Sequence, residues 1–260
     1  MGALLLVWPG AIAIGLSLGL LGSGGSILTV PVLVYLAGQE EKVAIAGSLA
    51  IVGLIALAAV IPYLRRGLVD WRSVMLFGIP GMIGTYGGAW GSAFVSGTVQ
   101  LAGFAVVMLL AAGLMLRNSN PVCATPTLRR EAAWKVISEG LVVGVVTGFV
   151  GVGGGFLVVP ALVLLGGLTM QQAVPTSLVI IALKSFVGFW KYTEVIAAEH
   201  LSLDPVIILA VAAVGVIGSW IGSAVAFRLP QEVLKRAFGV FLVVMGGLIL
   251  VQSSVNLLAA

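Results

Sequence analysis

Charge is scarce in this chain. Only 8% of its 260 residues are Asp, Glu, Lys or Arg, while 60% are hydrophobic and mean hydropathy is +1.22. Soluble domains carry about a quarter charged residues. A soluble fold of this length could not cover so much apolar surface, so lipid must be the solvent for most of it. Cysteine occurs once, at Cys123, which excludes an intrachain disulfide and any cysteine-only metal cluster. Histidine also occurs once, at His200, beside Glu199 and Asp204, where a surface role is expected. One Cys, one His and almost no buried acids supply neither a nucleophile with its base nor a metal-ligand set. The chain therefore does not read as an enzyme, and no cofactor or metal is expected. The net charge of +4 comes from basic residues in short loops between apolar segments. It is a topogenic signal, and no nucleic acid partner is expected.

Glycine, by contrast, is abundant, at 36 residues, as close packing and broken helices in membranes require. Part of it is duplicated. GLLGSGGSILTVPVL, from Gly19, returns as GFVGVGGGFLVVPAL, from Gly148. Gly22, Gly24, Gly25, Val30, Pro31 and Leu33 match Gly151, Gly153, Gly154, Val159, Pro160 and Leu162, and later Ala44, Ser48 and Leu49 match Ala173, Ser177 and Leu178. After a five-residue length difference, Gly81, Gly84, Gly88 and Phe104 stand opposite Gly215, Gly218, Gly222 and Phe238. A duplicated chain with a glycine cluster inside an apolar stretch of each half points to a membrane transporter.

Six apolar segments have spanning length: 43–63, 74–94, 99–116, 173–190, 205–227 and 233–251. Two more stretches, 4–38 and 136–165, are broken by the glycine clusters. Their second limbs, 27–36 and 156–165, are too short to cross ~30 Å of hydrocarbon as helices. Each stretch is either one kinked crossing or a re-entrant hairpin. Loop charge favours hairpins. With no net crossing, Arg65, Arg66, Arg72, Arg117, Arg129, Arg130, Lys135, Arg228, Lys235 and Arg236 share one side, and only Lys42 and Lys191 oppose them. With crossings, Arg228, Lys235 and Arg236 change sides with Lys191.

The expected fold is thus an all-α polytopic membrane protein of two inverted-topology repeats, each a broken re-entrant hairpin plus three transmembrane helices. Residues 1–118 and 135–260 are the repeats, with 119–134 as cytoplasmic connector. Both termini fall outside, and the glycine tips approach each other near the midplane. Residues 1–21 lack a basic start and run straight into the first repeat, so they read as mature structure. Trp71, Trp134, Trp190, Tyr63 and Tyr192 flank span ends, as interfacial anchors do. A homodimer is neither required nor excluded.

The candidate site follows from the tips. Gly22, Ser23, Gly24, Gly25 and Ser26, and in the second copy Gly151, Gly153, Gly154 and Gly155, precede new helices whose first N–H groups lack partners. Such N-termini carry about half a positive charge, and glycine lets an anion approach the backbone. The glycines could instead serve packing alone; two copies in register favour a site. Ser48, Thr176 and Ser177 could bind substrate oxygens or bond back to their own helices. Lys184 lies deep in its segment, where an unpaired lysine costs several kcal/mol. An anionic substrate is its simplest partner, with snorkelling or an ion pair to Glu139 as the alternative. Glu139 is a candidate for proton coupling or a simple paired charge.

The glycine cluster followed by VP and a leucine, with Val174-Pro175-Thr176-Ser177-Leu178 about fifteen residues later, resembles the TauE/SafE sulfite exporter family, which includes the toluene-sulfonate uptake permeases. The resemblance covers essentially the whole chain. The first copy departs from it, with Gly22-Ser23-Gly24-Gly25-Ser26 and Gly47-Ser48, so the two half-sites are chemically unequal. The resemblance implies secondary transport of sulfite, or an organosulfonate such as sulfoacetate, across a prokaryotic inner membrane. An anion channel, a carrier of another small oxyanion or organic anion, and a membrane assembly partner are the competing readings.

Overall fold

In the computed structural model, residues 2–92, 94–117, 133–150, 155–164, 166–198 and 201–259 are described, and every regular element among them is a helix. The first half contains α1 (Gly2–Leu21), α2 (Gly24–Pro31), α3 (Glu41–Leu64), α4 (Trp71–Ser73), α5 (Ile79–Ser92) and α6 (Gly97–Arg117). The second contains α7 (Ala133–Val150), α8 (Gly155–Leu164), α9 (Met170–Ala198), α10 (Pro205–Ala226) and α11 (Gln231–Ala259). Four helical stretches among the described residues are long and apolar enough to cross a membrane: Glu41–Leu64, Met170–Ala198, Pro205–Ala226 and Gln231–Val251. The expected spans 43–63, 173–190 and 233–251 lie within the corresponding stretches, and 205–227 ends one residue beyond its own. The expected span 74–94 instead begins as a π-helical turn, Val74–Gly78, that joins α4 to α5.

The limbs after the glycines end alike in both halves. Pro31 has no N–H to give, and after it the chain widens into a π turn, Val32–Leu36, closed by Ala37 N–H on the Val32 carbonyl at 3.0 Å. Gly38 then takes φ +67°, and Gln39 N–H bonds the Leu33 carbonyl at 3.0 Å. Gly167, also at φ +67°, stands in the matching place, with Leu168 N–H on the Leu162 carbonyl at 3.0 Å. Such left-handed stops are open to glycine and terminate helices. Two aspartates start the following rods in the same way. Asp70 accepts from Ser73 N–H, and Asp204 accepts from Val206 and Ile207 N–H.

Bare glycine faces weld the halves together. Gly15 and Gly19 of α1 lie against the backbone of Gly215 and Ser219 in α10, and Gly144 and Gly148 of α7 lie against Gly81 and Thr85 in α5. In both pairs residue numbers rise together, so the partners run parallel. α3 also runs parallel to α10, with Gly47 facing Ile208 and Gly215 facing Ile55. α1 and α3 therefore point the same way, and the segment between them must bring the chain back. In contrast, α3 and α9 run antiparallel, with Gly53 against Ser185 and Gly188 against Leu49. So do α6 and α11, with Gly239 against Leu116 and Gly246 against Leu109.

A methyl group on Gly15 or Gly84 would strike the facing backbone, whereas Gly87 meets nothing within 4 Å. We expect Gly15→Ala and Gly84→Ala to cost about 1–3 kcal/mol or more by forcing the helices apart. Gly87→Ala should be neutral or slightly stabilising. Thermal unfolding of the three purified variants checks this; equal behaviour would mean that the seams tolerate separation.

Candidate functional site

The first glycine tip is docked on the other half. Gly22 has φ +74°, and a side chain there would meet Ser177 Oγ at 2.7 Å and the Val174 backbone at 2.9 Å. Ser177 Oγ donates to the carbonyl of Val174 at 2.7 Å and also reaches that of Gly22 at 3.1 Å. α2 begins two residues later, at Gly24; of its opening N–H groups, that of Ser26 bonds the Ser23 carbonyl at 3.3 Å, while helix geometry gives those of Gly24 and Gly25 no acceptor one turn back. The Ser23 hydroxyl is buried without a hydrogen-bond partner among the described residues. So is that of Ser17 on α1, whose oxygen fills the space a Gly24 side chain would need. Ser17 was not singled out from the sequence.

An oxyanion needs donors, and this sorts the hydroxyls. Ser26 Oγ donates to the Ser23 carbonyl at 2.7 Å and Ser48 Oγ to the Ile45 carbonyl at 2.7 Å. With Ser177, they turn their protons toward backbone. Thr176 Oγ1 instead accepts the Asp70 N–H at 3.0 Å, tying α9 to the start of α4. Around the first tip, the donors left free among the described residues are the hydroxyls of Ser17 and Ser23, beside the N–H groups that open α2 at Gly24 and Gly25. Gly151, Gly153 and Gly154 lie outside the described residues, as do Glu199, His200 and the connector residues 118–132. Gly155 begins α8.

Lys184 is fully buried, and its Nζ has no hydrogen-bond partner among the described residues. Its stem lies against α5, with Cδ and Cε 3.4 Å from where a side chain on Gly81 would start. Neither snorkelling nor an ion pair with Glu139 accounts for it. Ser185, beside it, is also buried, its hydroxyl without a partner among the described residues, a second group that sequence reading missed. Seven helical positions separate Ser177 from Lys184, about 10 Å along the axis. The first tip therefore does not stand level with Lys184 at mid-bundle, as expected. It lies toward the end where α3 stops and α9 starts.

Two tyrosines correct the anchor reading. Tyr63 and Tyr192 are 2% and 1% exposed. Tyr63 OH donates to the Gly19 carbonyl at 2.7 Å, and Tyr192 OH lies 3.4 Å from that of Gly148. Each spans 44 residues to the limb before its glycine cluster. Tyr63→Phe is expected to cost about 1 kcal/mol, since it strands a buried carbonyl. Tyr192→Phe, with the longer contact, should cost less. Melting temperatures of both variants test this, and the reverse order would contradict it. Trp71, Trp134 and Trp190 are 55%, 72% and 72% exposed, as anchors should be.

The family profile described as Sulfite exporter TauE/SafE matches residues 7–249. The chain belongs to the TauE/SafE family. A "Probable membrane transporter protein" of Xylella fastidiosa is 30% identical over 251 residues, covering 95% of this chain and 94% of the relative. The "Probable membrane transporter protein YunE" of Bacillus subtilis is 30% identical over 65% of this chain and 70% of its own. A third, from Haemophilus influenzae, is 24% identical over 93% and 95%. No solved structure matches the chain. As a TauE/SafE member with long apolar helices, it is a multi-pass membrane transporter.

Proposed function

We propose that this TauE/SafE transporter carries sulfite or a small organosulfonate by alternating access, with Lys184 as the anion's principal partner. The carrying observation is the fully buried, unpartnered ammonium of Lys184. A charge so placed needs an opposite one, and the transported anion supplies it. Ser17, Ser23 and the α2 N-terminus form a second station about 10 Å away along α9. Antiparallel α3 with α9 and α6 with α11 support inverted repeats that rock against each other. The end bearing Arg65, Arg66 and Arg72 is assigned to the cytoplasm by the positive-inside rule. An anion channel is the second reading, favoured by the same charge; inverted repeats argue against a static pore.

The test is a thermal-shift titration of the purified protein with sulfite, sulfate, thiosulfate, sulfoacetate and taurine. A ligand at a hundred times its Kd adds about 2.7 kcal/mol of stability. Stabilisation by sulfite or sulfoacetate, with saturable uptake into proteoliposomes, is expected. Uptake that rises linearly with concentration would favour the channel. No stabilisation and no uptake with any of the five would overturn the substrate class.

A further inference from the structure

A cavity of about 230 Å³ opens where α3 and α10 end and α9 and α11 begin. Its mouth carries Arg66 and Gln171, both exposed, and its walls include buried Tyr63 and Val174. Val174 is also the residue whose backbone faces Gly22, so the cavity and the first tip share one residue of α9.

Arg66 is placed with care. Its guanidinium carbon stands 3.5 Å from the centroid of the Phe227 ring, and Phe227 in turn packs on Tyr63 with centroids 4.7 Å apart. The ring face holds the guanidinium at this end of the cavity, and a guanidinium can receive a carboxylate or sulfonate through two parallel hydrogen bonds. The remaining wall is apolar, with Leu68, Met170 and Leu234. The volume falls just below the ~300–1,000 Å³ of sites for drug-sized ligands, and is larger than a bare inorganic oxyanion needs. The repeat does not demand this arginine for packing, because Val195 stands at the matching place in the second half.

We propose that this cavity binds an organic monoanion with an apolar body, a sulfonate or a carboxylate, Arg66 taking the headgroup and the apolar wall the remainder. It forms the access station of the transport route and rests on the reading of Lys184 as the deeper one. The apolar wall favours an organic cargo over sulfite itself.

The test measures binding of benzenesulfonate, hexanoate and sulfite to the full-length protein in nanodiscs by calorimetry, for wild type, Arg66→Ala, Arg66→Lys and Lys184→Met. Arg66→Lys keeps the topogenic charge but loses the planar fork of donors. At least one organic anion should bind, weakened at least tenfold by Arg66→Ala and several-fold by Arg66→Lys, and changed less than twofold by Lys184→Met. Unchanged binding in both Arg66 variants overturns the cavity site, as does failure of both organic anions to bind wild type. If organic binding vanishes only in Lys184→Met, the cavity fails while the Lys184 reading stands. If Arg66 governs organic binding while sulfite binds Lys184→Met normally, the cavity stands and the Lys184 reading fails.

Discussion

Lys184→Met is expected to abolish sulfite-dependent stabilisation and transport while leaving the ligand-free protein as stable as before, or more so. The two halves of this result have one cause. In the ligand-free protein the Lys184 amino group is buried with no hydrogen-bond partner among the described residues, a cost that methionine of similar length removes. With anion bound, the same group is half of a desolvated charge pair, and truncating such a pair costs 2–5 kcal/mol or more. That corresponds to a loss in affinity of roughly 30- to 4,000-fold. A merely destabilised protein would lose melting temperature together with binding, so the separation of the two identifies the role. Thermal shift with and without sulfite, and uptake into proteoliposomes, measure both. Sulfite binding retained in Lys184→Met would remove this residue from the site.

Gly22→Ala should give the next largest loss. The backbone at φ +74° costs an L-residue about 1–2 kcal/mol, and the added carbon would meet Ser177 Oγ at 2.7 Å and Val174 Cα at 2.9 Å. One neighbour is a side chain that can be trimmed and the other is backbone that cannot. We expect Gly22→Ala to lower stability by about 2–5 kcal/mol and to slow transport severely, because the tip can no longer seat on α9. Adding Ser177→Ala should restore part of the stability and not all of it. Full recovery in the double variant would show that only the hydroxyl mattered; a wild-type single variant would show that the tip does not depend on this seat.

The architecture was legible where identity repeats at a fixed offset. Gly19 with Gly148 and Pro31 with Pro160 announce the duplication without any neighbour being known. Tyr63 and Tyr192 keep the same offset as those pairs, and that was the available signal. Their position near span ends led instead to the interfacial reading, since an aromatic near a helix end looks the same in sequence whether it faces lipid headgroups or a carbonyl 44 residues away. Hydroxyls were legible only as a class. Whether a serine can donate depends on which carbonyl lies beneath it, and Thr176 is taken up by Asp70, 106 residues distant. Ser17 and Ser185 could not be separated from other membrane serines on composition. Arg66 was read only as a topogenic charge, and its second property rests on Phe227, which the sequence places far away. Lys184 was the reverse case, since depth alone in an apolar segment made it conspicuous.

The parallel seam between α1 and α10 has a consequence for synthesis. The glycine face of the first helix has its mate in residues made two hundred positions later, from Gly15 to Gly215. At ~5–20 residues per second a ribosome needs roughly 10–40 s to cover that interval. Throughout it the groove on α1 stands open to lipid or to any other small-residue face in the membrane. A chain that stops before α10 keeps that groove bare, although the other glycine seam, between α5 and α7, can close as soon as α7 is made.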